Sequence, residues 1–334
     1  MRPLNRKTTL VPSSLRGTTF SITLAFFLAG CAGAGGGAKA DGKPDDARNT
    51  AIASPPSVVK TYVFDSAQDK PLPLDQYLMN WEQLSVVAKA QAKIVSGCMA
   101  RFGFNYSFPV SLPPRTRETP ATRIDGRYGP QNATLMAKWG YHPEGGVHAD
   151  KSQSAMQQPD TAPGIETVLR GTSDTRKKFG AGGQVIHGQK VPDHGCIGDA
   201  AKKLTGSIDD SLVDPQIAVD LKLQTLIESQ RDRRTEAVFS KWSLCMKGKG
   251  FSYPNPLAAV GDTAWVKTAM PTAHELRTAT ADADCRHKNN VVGVWYAVDR
   301  AYQEQAIAAN AAVMAKVKAG LTFKVKAARQ TLAG

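Results

Sequence analysis

The sequence predicts a mainly α-helical protein: two disulfide-clamped antiparallel helix pairs, with an irregular, partly β insert in the first. Three observations carry this expectation. The stretch Cys98-Met-Ala-Arg-Phe-Gly-Phe-Asn-Tyr-Ser-Phe-Pro109 and the stretch Cys245-Met-Lys-Gly-Lys-Gly-Phe-Ser-Tyr-Pro-Asn-Pro256 share one frame, C-M-x-x-x-G-F-x-Y-x-x-P. Each is followed by a second cysteine in Asp-x-x-Cys, at Asp193-His-Gly-Cys196 and Asp282-Ala-Asp-Cys285. Apolar residues in the segments leading into each frame recur at the three-to-four spacing of a helix with one buried face.

The frame has a physical reading. With Gly103 and Gly250 as left-handed residues ending a helix, Phe104 and Phe251 fold back onto Met99 and Met246. That is the apolar contact of a Schellman ending, with a cysteine one residue further back. Each half is then a helix ending in cysteine, an insert, and a helix carrying the second cysteine.

From the N-terminus, residues 1–30 hold four basic residues and no acid, followed by an apolar run from Phe20 to Leu28. The run is too short for a lasting transmembrane helix and reads as the core of a signal peptide. It closes on Leu28-Ala29-Gly30-Cys31, which resembles the bacterial lipobox; that motif implies a diacylglycerol on the Cys31 sulfur and Cys31 as the first mature residue. Residues 31–58, rich in Gly, Ala, Pro, Ser and Asp, are expected to form a flexible tether. Loss of residues 1–30 takes four positive charges from the formal net charge of +13, leaving +9. An exported chain makes nucleic acid an unsuitable partner, so the basic balance is not read as a sign of one.

The body divides into residues 59–210, the first cysteine helix pair with its insert, and residues 211–334, the second pair. Leu74 to Arg101 reads as one helix, with Leu78, Trp81, Leu84, Val87 and Val95 along its apolar side. The insert, residues 106–192, is rich in Gly, Pro, Thr and Asp. It offers a short helix near Asn132–Trp139 and a hairpin over Val185–Val191 turning at Gly188 and Gln189. So long a stretch with little regular structure is either a binding surface or a partly mobile one, and the sequence does not choose.

A second helix is expected from Asp193 to Leu204 with Asp193 as cap. A third starts at Asp214-Pro215 and runs to Lys247 or Gly248, with Leu223, Ile227, Val238, Trp242 and Cys245 on its apolar side. Thr272-x-x-Glu275 is a capping box for a last helix continuing to about Arg329, with a break expected near Gly293 or Gly320.

Once Cys31 is assigned to lipid, four cysteines remain in an oxidising location, and the repeat argues for Cys98–Cys196 and Cys245–Cys285. A thiol or metal site is the alternative, but there is no C-x-x-C, and His187…His194-x-Cys196 has poor spacing for zinc. No metal or cofactor is expected. His142, His148, His274 and His287 read as solvated or capping residues, and the acid pairs Asp209/Asp210 and Asp282/Asp284 as caps and surface. G-x-S-x-G, H-E-x-x-H and P-loop motifs are missing, so no catalytic residue is assigned. Lys316 to Arg329 carries five positive residues and no negative one. It reads either as a solvated helix end or as a contact for anionic lipid or wall polymer, with Leu321, Phe323 and Val325 as its apolar part.

The run Trp242-Ser-x-Cys-Met…Gly-Phe-x-Tyr, the Asp-x-x-Cys that follows and Val292-Gly-Val-Trp295, together with Tyr128–Tyr141 and Gly188–Cys196, resemble a group of exported, often lipid-anchored proteins of Streptomyces-type actinobacteria. The resemblance implies a cell-surface lipoprotein and no activity, so no functional residue is carried over. The resulting expectation is a non-catalytic binding or scaffold protein on the outer face of the cell membrane, held there by its N-terminal diacylglycerol. The alternative is a wall-polymer-modifying enzyme with its site in the 106–192 insert.

Overall fold

Two disulfides, Cys98–Cys196 and Cys245–Cys285, close loops of 98 and 40 residues and clamp the two expected helix pairs. The computed structural model describes residues 54–64, 70–112, 124–147, 162–209 and 215–334. The signal peptide, Cys31, most of the 31–58 tether, His148, Asp210, Asp214 and the boundary expected at 210–211 lie outside those residues. The described residues all fall in one compact unit. Among the described residues the fold is mainly helical, with one two-stranded antiparallel sheet.

The chain enters as an extended strap, Ser54–Phe64. It is docked rather than free: the Gln305 side chain donates to the Ser54 carbonyl, Arg234 to that of Pro56 and Asn290 to that of Tyr62. Residues 54–58, within the stretch expected as tether, are part of this strap. A 3₁₀ turn, Pro73–Tyr77, precedes α1 (Trp81–Arg101). The single helix expected over 74–101 is split because Asn80 and Gln83 form a reciprocal capping box that starts α1 afresh.

Both repeated frames are Schellman endings. The amide of Phe104 donates to the Met99 carbonyl and that of Gly103 to Ala100; Phe251 donates to Met246 and Gly250 to Lys247. Gly103 and Gly250 have φ of 80° and 89°, a conformation other residues adopt only under strain.

The insert supplies α2 (Ile124–Tyr128), α3 (Ala133–Trp139), α4 (Ile165–Arg170) and the strands β1 (Val185–Ile186) and β2 (Gln189–Lys190). α3 is the short helix expected near Asn132–Trp139, and Asn132 caps it by accepting from the Leu135 amide. The hairpin turns one residue earlier than expected, at His187-Gly188, both with positive φ; Val185 pairs with Lys190 and Ile186 with Gln189. His187 tolerates this conformation because its ring is held by the Phe102 carbonyl, 2.6 Å from Nδ1.

In the second helix of the first pair, α5 (Gly195–Thr205), the cap is His194 in a left-handed conformation, and Asp193 sits one residue outside. The helix expected from Pro215 to Gly248 is two, α6 (Gln216–Gln230) and α7 (Arg233–Gly248), because Asp232 accepts from the Arg234 amide and restarts the turn. Pro215 is the cap of α6 rather than its first residue. After α8 (Pro256–Val260), the last expected helix is three: α9 (Ala273–Lys288), α10 (Val291–Ala309) and α11 (Ala311–Ala333). The breaks fall at Asn289-Asn290 and Asn310, and Gly320 lies inside α11. Gly293 is no break either: a β-carbon there would lie 1.9 Å from the Tyr62 carbonyl, so the glycine lets the strap lie against α10.

Around the first disulfide, α1 packs on α5 and α11, with Val95, Met99, Phe102, Phe104, Val168 and Leu169 buried together. Around the second, α10 is the central helix, packed on α6 and α7, with Trp242, Trp295, Tyr128, Tyr296 and Phe239 forming the aromatic core. The two clamps differ in placement: Cys196 opens α5, whereas Cys285 lies in the last turn of α9. The sides of α6 are the reverse of the expectation. Lys222, Thr225 and Ser229 are buried while Leu223 and Ile227 are exposed, because this helix faces a polar network.

Candidate functional site

Three carboxylates with no solvent exposure, Asp299, Asp282 and Glu275, organise the interior of the second half. Each is met by residues of the 106–192 insert. Asp299 of α10 receives both prongs of Arg127, at 2.5 and 3.0 Å, the Tyr128 hydroxyl at 2.6 Å and the Gln303 amide at 3.1 Å. Burial alone would lower the Arg127 pKa, but Asp299 raises it, so the guanidinium stays charged. Arg127 also donates to the Lys222 carbonyl, and the Lys222 ammonium pairs with Asp75 in the 3₁₀ turn.

Asp282 of α9 accepts from Arg286 at 2.7 Å, from the Trp242 indole at 2.8 Å and from the Tyr141 hydroxyl at 3.1 Å. Burial raises its pKa against the opposing pull of Arg286. Arg286 spans the core, donating to the carbonyls of Tyr128 and Pro256. Glu275 accepts the Tyr141 amide at 2.8 Å and lies 2.7 Å from Nδ1 of His142. Gly140 makes room for this carboxylate, since a β-carbon would sit 2.5 Å from its Oε1. The other ring nitrogen of His142 lies 2.8 Å from the Thr268 carbonyl, which can only accept. Acceptors at both nitrogens suit the doubly protonated ring. Burial by itself would lower the His142 pKa, and the bonds to Glu275 and Thr268 outweigh it and raise it.

Two expectations are corrected here. His142 is a core ion-pair partner, not a solvated residue, and Asp282 is a buried hub, while Asp284 does lie at the surface against Lys249. Thr272 caps α9 by accepting the Glu275 amide, but the Glu275 side chain turns inward to His142 instead of closing the box. Arg127, Tyr128, Tyr141 and Asp299 were not singled out by sequence reasoning. Their partners lie more than a hundred residues away along the chain, where periodicity carries no signal.

The cysteines are brought together as pairs, and Cys31 lies outside the described residues. His187 and Cys196 do not form one site: His187 is bonded to Phe102, and Cys196 is in its disulfide. His194 lies beside Asp193 and Asp209.

The open concave surface is elsewhere. α10 and α11 meet at 95°, and between their corner and the entry to α1 lies a groove of about 830 Å³, lined by Leu78, Gln83, Arg300, Ile307, Lys318 and Leu321 among others. It continues past Gln83 and Thr322 into a second hollow of about 320 Å³ bounded by Val325, Lys326 and Arg329. Of the apolar tail residues, Val325 is buried against α1 and Leu321 lines the groove, leaving Phe323 exposed. Among the described residues no single helix is long and apolar enough to cross a membrane; the bent pair α10 and α11 passes on composition, with α10 forming the buried centre of the fold. No protein-family model, no curated protein and no solved structure matches this chain. What it does has to be read from its own side chains.

Proposed function

We propose that this is an exported protein held on the outer face of the cell membrane by a diacylglycerol on Cys31, with a body that serves as a non-catalytic binding scaffold of the envelope. The export half is supported by the basic N-terminus, the apolar run and Leu28-Ala29-Gly30-Cys31. Two disulfides closing long loops fit an oxidising compartment. The observation that carries the scaffold half is the pairing of the buried acids. Asp299, Asp282 and Glu275 are each bonded to a cationic partner inside the core, and bonds from Arg127, Tyr128, Tyr141 and His142 to them join the insert to the second half.

The test is detergent phase partition of the full chain and of Cys31→Ser, both expressed with the signal peptide in a bacterial host. The full chain should enter the detergent phase and Cys31→Ser the aqueous phase; a full chain that stays aqueous, or remains unprocessed, overturns the anchoring. Incubation with isolated wall polymer should release no fragments. Release of fragments would replace the scaffold reading with an enzymatic one.

A further inference from the structure

We infer that the groove between the entry to α1 and the inner side of α11 binds a chain-like polyanion, a polymer of phosphodiester-linked polyol units. This inference rests on the export reading above, which puts envelope polymers within reach.

The stripe of α11 that faces the groove runs through Lys318, Leu321, Thr322, Val325, Lys326 and Arg329. These positions recur every three or four residues, so they form one line along the helix. Lys318 and Lys326 are about 12 Å apart along the axis and Lys326 and Arg329 about 4.5 Å, at a rise of 1.5 Å per residue. The cations therefore form a row, which matches repeated anions better than a single one. Lys318 is already oriented, its ammonium 2.7 Å from the Gln76 side-chain oxygen on the opposite wall. Gln76 is neutral, so the charge remains available. Among the described residues no acidic side chain pairs with Lys318, Lys326 or Arg329, and residues 316–329 contain no acid. The acids lining the groove are matched locally: Asp75 by Lys222, and Glu304 by Arg300 at 2.9 Å. Leu78, Ile307 and Leu321 give the groove an apolar lining on which aliphatic or polyol segments can rest. Concavity decides between a polymer and a bilayer, because a single chain can lie in a trough between two helices whereas a planar headgroup surface reaches only its rim.

The test is titration of the exported chain, carrying Cys31→Ser for solubility, with poly(glycerol phosphate). Wild-type binding should weaken as salt is added. The variant Lys318→Gln/Lys326→Gln/Arg329→Gln should lose roughly thirtyfold in affinity, at about threefold for each exposed charge contact. A control of equal net charge, Lys177→Gln/Lys241→Gln/Lys247→Gln on other exposed surfaces, should lose less than about threefold. Circular dichroism should be unchanged in both, since the altered residues are exposed. Equal losses in the two variants would mean attraction by net charge alone and overturn the groove. Binding to phosphatidylglycerol vesicles without binding to the polymer would assign the stripe to a lipid surface and overturn it too. Absence of polymer binding at low salt sinks the inference while leaving the phase-partition result, and with it the anchoring, untouched.

Discussion

Arg127 of the first-half insert grips Asp299 of α10 with two hydrogen bonds, at 2.5 and 3.0 Å, across 172 residues of sequence. Tyr128 adds a third bond to the same carboxylate, so two consecutive insert residues are fixed to the central helix of the second half.

Removing one member of such a pair leaves a charge buried without its partner. Asp299→Ala should therefore cost about 3–5 kcal/mol, a large part of an ordinary domain's stability. Arg127→Met combined with Asp299→Leu should recover most of that loss, because neither charge is then stranded. Urea unfolding measures both; a loss below about 1 kcal/mol for Asp299→Ala would show that the pair is not buried in solution.

The His142–Glu275 pair makes stability depend on pH with a definite sign. The His142 pKa is raised in the folded chain above the value of about 6.5 for a free imidazole. Below about pH 6.5 both folded and unfolded chains hold the proton, and the contribution of the pair is complete. It is lost as pH rises through the folded value. Urea midpoints of the wild type should fall on this account as pH rises from about 6.5 through the raised folded value, and those of His142→Gln should lack that component. The fluorescence of Trp265, stacked on Tyr141 at 5.5 Å, should report the same loosening. Parallel pH profiles for the two chains would rule the pair out as the source.

Loop length ranks the disulfides. By loop entropy, the pair Cys98→Ala/Cys196→Ala should lose up to about 4.7 kcal/mol and Cys245→Ala/Cys285→Ala up to about 3.9 kcal/mol. A non-reducing peptide map of the exported chain checks the connectivity first. Chemical unfolding of the two double variants then checks the order, and a crossed linkage in the map would overturn the architecture.

Two helical glycines should respond oppositely to alanine. Gly97 in α1 has open space where a β-carbon would go, so Gly97→Ala should stabilise by about 0.5–1 kcal/mol. Gly293→Ala pushes a methyl group into the Tyr62 carbonyl and should displace the strap. Hydrogen exchange over residues 54–64 should then rise markedly, while it stays unchanged in Gly97→Ala.

Much of this fold was legible because its strongest signals are local. The Schellman endings at Gly103 and Gly250 and the short helix near Asn132–Trp139 follow from residues a few positions apart, and the cysteine pairing, across 98 and 40 residues, follows from the repeat of the frame. Helix breaks were misplaced because the expectation looked for glycine, whereas asparagine and aspartate do the work at Asn80, Asp232, Asn290 and Asn310. Asn80-x-x-Gln83 was readable as a capping box. The inverted sides of α6 were not, since Lys222 is inside only because Asp75 and the Arg127–Asp299 pair meet it there. The basic tail was visible as a charge run, but its groove exists only through the 95° corner between α10 and α11.

The docked strap has a mechanical consequence. Tension applied at the N-terminal end of the chain reaches the body at Ser54 and meets the bonds from Gln305, Arg234 and Asn290 in series. Behind them stands the edge-on packing of Tyr62 and Phe64 against Tyr296. Eleven residues of chain thus act as a strain relief, absorbing load at the surface of α10 before any of it reaches the disulfide-braced interior.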